Sequence, residues 1–139
     1  MHLYRHPGPR RVVADAGLVE EVELVRLALG TTPAFLDFCA GHGARGVVIE
    51  GFGRGNAPRG FGAAVRRLTK AGVPVLIASR CVESRTRAVY GGDSGATTLI
   101  EAGGLLTGTL SGLKARLLLS ALLAAGAGHD EIAQALAHA

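Results

Sequence analysis

The sequence predicts an α/β domain of three layers, with a small parallel sheet of about four strands and helices on both of its faces. Two apolar runs rich in β-branched residues, 46–50 and 73–78, lack the alternation of a half-exposed strand. Such runs are typical of strands buried on both faces. Helical segments separate them, so the order is β-α-β-α-β with right-handed crossovers. With 21 Gly, 4 Phe and no Trp, the predicted core consists of small aliphatic side chains.

The first half of the chain contains three predicted strands and two predicted helices. An early run, 22–27, alternates in part and is predicted to be a strand near an edge of the sheet. Thr32 is the expected N-cap of the first helix, with Pro33 at its first position and an end near Ala40. Pro58 is expected to open the second helix, which ends at Ala71 before Gly72.

The second half begins with a long connection, from Ser79 to about Gly95, that has no periodic apolar pattern. A short helix over 97–102 and a short fourth strand at 105–106 are expected next. Ser111 is the expected cap of a helix that runs to Ala125 and is apolar on nearly every side, which is typical of burial in a domain or against a partner. Asp130 is the expected cap of a last helix ending at His138.

The length and composition exclude several classes of protein. A chain of 139 residues suits one domain, which we place at 21–139, with 1–20 as an arm or the remnant of an interdomain linker. No apolar run reaches the roughly 18 residues of a membrane span, and the N-terminus lacks the pattern of a secretory signal. Cys39 and Cys81 do not form a disulfide framework, so we expect a cytoplasmic protein. The net charge is +4, and the basic residues are scattered among acidic ones, so we expect no nucleic-acid partner.

Two loops follow the carboxyl ends of the predicted strands, where ligands bind in open parallel sheets. The first, 51–58, is rich in glycine, but Asn56 stands where a dinucleotide fingerprint needs Gly, and no phosphate-loop GK[ST] follows. Its glycines either serve only a tight turn, with Asn56 capping the second helix, or help to bind a ligand.

The long loop and its neighbours offer few groups for metal or acid–base chemistry. Four arginines, Arg54, Arg80, Arg85 and Arg87, either bind an anion such as a carboxylate or form a solvated face. His42 is expected to have a structural role at a helix C-terminus. No CxxC or HExxH spacing occurs, so we expect neither a metal site nor a cofactor.

Four segments, in order, resemble one enzyme family. The residues 46–58, GVVIEGFGRGNAP, are similar to the GxVxxGxGxGNxP segment of L-asparaginases. The segment 71–81, Tyr90 in the following loop, and the segments 102–104 and 109–119 match further motifs of the same family. The resemblance covers about residues 21–138 and is confined to the smaller, C-terminal domain of these enzymes.

The resemblance implies a domain that supports assembly and the substrate pocket of an amidohydrolase that converts L-asparagine to L-aspartate and ammonia. The threonine nucleophile of the family lies in a TGGTI-type motif of its N-terminal domain, which is absent here, so we expect no catalytic residue in this chain and no activity alone. By position, the Asn of the GxGN motif is Asn56. Gly53 and Gly55, which precede it in the motif, are further substrate-binding residues by the same resemblance. Glu83 and Asp93 are candidates, by region only, for a later acidic residue of the family.

The resemblance also implies partners. These are an asparaginase N-terminal catalytic domain or a second subunit, a second copy of the chain in a homo-oligomer, and a small amino-acid ligand. Two other functions stay open: a stand-alone module for small-carboxylate binding or oligomerisation, and the asparaginase-like subunit of a tRNA-dependent amidotransferase.

Overall fold

A computed structural model of the protein describes residues 17–139, which form a four-stranded parallel sheet. The strands lie in chain order: β1 (Val22–Arg26), β2 (Gly46–Gly51), β3 (Val75–Ser79) and β4 (Leu105–Leu106). The first strand is therefore at an edge, as predicted, and the short fourth strand is confirmed at the other. Every residue of β2 and β3 is buried, which explains why their sequences do not alternate.

Five helices cover the two faces of the sheet: α1 (Ala34–Gly41), α2 (Phe61–Lys70), α3 (Ala96–Glu101), α4 (Gly112–Ala124) and α5 (His129–Ala137). One apolar cluster joins α1, α2 and α3 to the side chains of Val47 and Ile49. A second cluster joins α4 and α5 to Val48, which points to the opposite face. The predicted three-layer α/β architecture is confirmed.

The starts of the first two helices differ from the prediction. Pro33 is the N-cap of α1 rather than its first helical residue, because its carbonyl accepts hydrogen bonds from the N–H groups of Leu36 and Asp37. The second helix begins at Phe61, three residues beyond Pro58. Its N-cap is Gly60, whose φ of +86° is left-handed, so a further turn separates Pro58 from the helix.

The N-caps of the last two helices also differ in part from the prediction. Ser111 is the N-cap of α4 as predicted, but its side chain makes no capping hydrogen bond. The N-cap of α5 is Gly128 rather than Asp130, because Glu131 reaches back and accepts a hydrogen bond from the Gly128 N–H at 2.8 Å. Asp130 lies in the first turn instead, where a negative charge favours the helix dipole.

Residues 17–20 lead into β1 and pack on α4. Val19 is 7% exposed, and its N–H donates to the carbonyl of Ser120 at 3.3 Å. The Ser120 hydroxyl in turn donates to the Val19 carbonyl. The rest of the predicted arm, 1–16, lies outside the described residues. No helix in the described part of the chain is long and apolar enough to cross a membrane.

Candidate functional site

The glycine-rich loop makes a tight turn directly after β2, at the carboxyl edge of the sheet. The Phe52 N–H donates to the carbonyl of Asn56 at 2.7 Å, and the N–H groups of Gly55 and Asn56 both donate to the carbonyl of Phe52 at 2.9 Å. An isolated antiparallel bridge therefore joins Phe52 to Asn56 and closes the loop on itself. Asn56 is thus held at a fixed position beside the end of β2.

Three positions of this turn favour glycine. A Cβ on Gly51 would lie 2.6 Å from the carbonyl oxygen of Asn56, and Gly53 has a left-handed φ of +49°. Gly55 has a φ of +104°, and its Cβ would lie 3.1 Å from the Ile77 side chain. The glycine spacing shapes the turn, and substrate contact by Gly53 and Gly55 remains a prediction.

Two hydroxyl groups hold the tip of the turn from the neighbouring strand and loop. Ser79, the last residue of β3, and Ser84 both donate to the carbonyl of Gly53, at 2.6 and 2.7 Å. The Ser79 hydroxyl also accepts a hydrogen bond from the Cys81 N–H at 3.0 Å. These two hydroxyl groups therefore position the turn from outside it.

Asn56 connects the glycine turn to α3 rather than to α2. Its Oδ1 accepts a hydrogen bond from the N–H of Ala96, the first residue of α3, at 3.2 Å, and the Ala57 N–H donates to the Ser94 carbonyl at 3.0 Å. Of the two alternatives for Asn56, the one in which it caps α2 is wrong, since Gly60 takes that place. Because the Ala96 N–H can only donate, it fixes Oδ1 as the inward atom. The Nδ2 donor makes no hydrogen bond within the described residues.

Arg80 differs in role from the other three arginines. Its guanidinium donates to the carbonyl of Leu27 at 2.9 Å and lies 4.4 Å from the centre of the Phe52 ring. This side chain therefore links the residue after β1 to the glycine turn. Arg54, Arg85 and Arg87 instead line one cavity.

The two acidic candidates are both exposed. Asp93 lies 3.9 Å from Arg59, and Glu83 lines a shallow depression with Cys81 and Arg85. Tyr90 is also exposed, and its carbonyl accepts a hydrogen bond from the Thr97 N–H at 3.2 Å. Whether Glu83 or Asp93 serves a substrate pocket remains a prediction.

A buried carboxylate lies next to the glycine turn and was not among the residues predicted from the sequence. Glu50, near the end of β2, is 5% exposed, and its Oε2 accepts a hydrogen bond from the Nε of Arg26 at 2.7 Å. Its side chain also packs against Gly112 at the start of α4, where a Cβ would come within 2.4 Å of it. A charged residue inside an apolar strand was the available signal, since such residues are almost never buried without a partner.

The remaining candidates have structural surroundings. His42 is the C-cap of α1, where its Nδ1 is 2.8 Å from the Phe38 carbonyl and its ring stacks on Phe38. Cys39 is buried and Cys81 exposed, and both are free thiols. Among residues 17–139, no group of three His, Cys, Asp or Glu side chains could hold a metal ion.

Comparison with known families agrees with this architecture. The sequence model of the glutaminase/asparaginase C-terminal domain family matches residues 21–136, which is most of the chain. The chain belongs to this family. As a member of the glutaminase/asparaginase C-terminal domain family, it carries the glycine turn and Asn56 at the carboxyl edge of the family's sheet.

Individual relatives fall into two groups. A probable L-asparaginase of Deinococcus radiodurans is 33% identical over 134 residues, which cover 95% of this chain and 40% of that protein. A glutamyl-tRNA(Gln) amidotransferase subunit of Pyrococcus horikoshii is 34% identical over 82 residues, which cover 59% of this chain and 19% of that protein. The chain therefore spans less than half the length of either relative.

A solved structure matches the same fold. L-asparaginase I of Vibrio cholerae superposes with a TM-score of 0.73 and 18% identity, over 85% of this chain and 36% of that one. At this identity the likeness concerns the fold, which is the parallel sheet with helices on both faces.

Proposed function

We propose that the chain is the C-terminal domain of an L-asparaginase-type amidohydrolase, in which it supports assembly and borders the substrate pocket of an adjoining catalytic domain or subunit. The observation that carries the proposal is the alignment of 95% of the chain with the probable L-asparaginase of Deinococcus radiodurans. The reaction is the hydrolysis of L-asparagine to L-aspartate and ammonia. Its threonine nucleophile, acting through an acyl-enzyme, belongs to the catalytic domain.

Asn56 is the residue that this chain contributes to the pocket. Its Oδ1 is occupied by the Ala96 N–H, which leaves the two Nδ2 hydrogens for a ligand. An amide donor suits the carboxylate or side-chain carbonyl oxygen of an amino-acid substrate. The Ser79 and Ser84 hydroxyls act through the Gly53 carbonyl and keep the turn that carries Asn56 in place.

A chimera tests the proposal. In it, this chain replaces the C-terminal domain of the Deinococcus radiodurans relative, and ammonia release from L-asparagine is measured. We expect the chimera to hydrolyse L-asparagine and the chain alone to release no ammonia. Robust turnover by the chain alone would show that the nucleophile lies within it and would contradict the proposal.

Two substitutions at Asn56 separate substrate binding from folding. Asn56→Asp keeps an oxygen to accept the Ala96 hydrogen bond but removes the amide donor, whereas Asn56→Ala removes both. We expect both variants of the chimera to raise KM for L-asparagine about tenfold or more, since a hydrogen bond to a charged group contributes about 1.5–3 kcal/mol. Only Asn56→Ala should also lower Tm, because it alone leaves the α3 N-terminus uncapped. An unchanged KM for Asn56→Asp would remove Asn56 from the pocket.

The amidotransferase relatives support a second candidate function, that of an asparaginase-like subunit of a tRNA-dependent amidotransferase. The Pyrococcus horikoshii subunit is about as similar in identity as the L-asparaginase relative, but its match covers only 59% of the chain. A second chimera, made with the Pyrococcus horikoshii relative, distinguishes the two functions. If the Pyrococcus horikoshii chimera is active and the Deinococcus radiodurans chimera is not, the amidotransferase function is favoured.

We further propose that the chain works as a homo-oligomer in the cytoplasm. Leu113 and Leu117 are one helical turn apart on the outer face of α4 and are 71% and 58% exposed. Apolar side chains placed together on a surface are typical of interaction sites.

A further inference from the structure

The segment that leads into β1 is bound to α4 by side chains of that helix. The Val19 N–H donates to the carbonyl of Ser120 at 3.3 Å, and the Ser120 hydroxyl donates back to the Val19 carbonyl. One helical turn earlier, Arg116 donates through Nε to the Val22 carbonyl at 2.6 Å and through Nη2 to the Glu20 carbonyl at 3.4 Å. Two side chains of one helix therefore bind three carbonyl groups around the start of the strand.

Packing adds to these hydrogen bonds. Val19 is 7% exposed and belongs to the apolar cluster between the sheet and α4. Ser120 is 5% exposed, and a buried hydroxyl without a partner would destabilise the fold. A serine at a buried position of a mostly apolar helix is therefore explained by its hydrogen bond to the leading segment.

This leading segment lies where the domain adjoins the rest of the proposed enzyme. The family model is that of a C-terminal domain, and its match begins at residue 21. The probable L-asparaginase of Deinococcus radiodurans is longer, since the match covers 40% of that protein. Under the proposed function the catalytic domain precedes residues 17–21, which we call the linker end.

We infer that Ser120 and Arg116 are positioning residues, which fix the linker end on α4 and so set the placement of Asn56 relative to the catalytic domain. This inference rests on the proposed function. Neither residue touches the glycine turn in the contacts described above, so any effect on the substrate pocket must pass through the linker end.

The sheet alone would hold less of the linker end. The Glu21 carbonyl accepts a hydrogen bond from the Arg45 N–H at 2.8 Å, so the contact with the sheet begins there. Without the α4 contacts residues 17–20 would be free, and each extended residue adds up to about 3.3–3.6 Å of reach. A longer flexible connection lowers the effective concentration at which two joined parts meet. It also loosens the placement of groups that must be held within about 1 Å.

Amide hydrogen exchange at the Val19 N–H, followed by NMR on the full chain, tests the attachment. The double variant Arg116→Met/Ser120→Ala keeps good helix formers at both positions but removes three side-chain hydrogen bonds to the leading segment. We expect Val19 to exchange about tenfold faster or more in this variant, with the amides of α4 unchanged. The control Lys114→Met removes a positive charge from an exposed position of the same helix and should leave the exchange at Val19 unchanged.

Kinetics of the Deinococcus radiodurans chimera, with residues 17–22 of this chain retained, test the positioning. We expect the double variant to raise KM for L-asparagine about threefold or more with kcat little changed, because substrate binding must then also order the linker end. A merely structural role would reduce the amount of folded enzyme, which lowers the apparent kcat and leaves KM unchanged. Arg116→Lys/Ser120→Ala keeps one charged donor and should recover part of the wild-type KM.

Two results would overturn the inference. Equal exchange rates at Val19 in the wild type and the double variant would show that these side chains do not hold the linker end. Faster exchange with an unchanged KM would show that the linker end does not position Asn56. A wild-type chimera without activity would instead contradict the proposed function, and the positioning role with it, while the exchange rates would still decide the attachment to α4. The two failures are therefore distinguishable.

Discussion

The two cysteines occupy opposite environments, so their reactivity reports on the packing around α1. Cys39 is 2% exposed within the cluster that α1 and α2 share, whereas Cys81 is exposed in the loop after β3. Burial, and to a lesser degree the negative charge of Glu23, raise the pKa of the Cys39 thiol. We expect a thiol reagent at pH 8 to modify one cysteine of the native chain rapidly and two in urea, because only a thiolate reacts. Two rapid reactions in the native chain would contradict the described packing.

The raised pKa of Cys39 also gives a pH dependence with a defined sign. The folded state favours the neutral thiol, so this contribution to stability is complete below the unfolded pKa near 9.0 and is lost as the pH rises through the folded pKa. We expect the free energy of unfolding of the wild type, relative to Cys39→Ala, to fall above pH 9.0. The comparison removes the titration of other groups. A difference independent of pH would contradict the burial of the thiol.

At the scale of secondary-structure elements, the contact between β2 and α4 depends on one glycine. A Cβ at Gly112 would lie 2.4 Å from both Cγ and Oε1 of Glu50, which is buried and hydrogen-bonded to Arg26. Gly112→Ala must therefore displace either the helix or the carboxylate, and we expect urea denaturation to show a loss of about 1–3 kcal/mol.

The matched control for this substitution is Gly41→Ala, near the end of α1. Nothing lies within 4 Å of the Cβ that it would add, and alanine is the better helix former, so its stability should be unchanged or slightly higher. Equal effects of the two substitutions would show that helix propensity, and not the contact with Glu50, decides the outcome at Gly112.

The elements themselves were predictable because their signals are local. The buried runs of β2 and β3 and the strongly apolar pattern of α4 identify each element without reference to any other. Helix starts were less predictable, since the competing caps differ little in sequence. Because Gly60 adopts a left-handed φ, α2 begins beyond Pro58. Because Glu131 accepts a hydrogen bond from the Gly128 N–H, the N-cap of α5 lies before Asp130.

The candidate site was predictable only in part, for a related reason. The glycine pattern located the turn and Asn56 in the sequence. The partners of the turn come from distant segments: Ser79 follows another strand, and Ala96 begins a helix 40 residues beyond Asn56. Such contacts depend on the register of β2 against β3, which places Gly51 beside Ser79. Spacing along one chain does not reveal that register.

For the whole molecule, the sheet separates two apolar clusters and brings the functional loops to one edge. The glycine turn follows β2 and the long loop follows β3, and hydrogen bonds from Ser79, Ser84 and Arg87 join the two loops into one unit. Asn56 and the three cavity arginines are therefore positioned by the same framework.

The outer face of α4 carries exposed apolar side chains, because the helix is apolar on more sides than the sheet covers. Leu119 is buried against the sheet, whereas Leu113 and Leu117 are exposed. We expect light scattering at several concentrations to show a mass above the 14.2 kDa of one chain. Leu113→Lys/Leu117→Lys should shift the chain to the monomer, since two charges cannot be buried without partners. The control Val82→Lys, at a fully exposed loop position, should not change the mass. A wild-type chain that stays monomeric at every concentration would show that α4 does not mediate self-association.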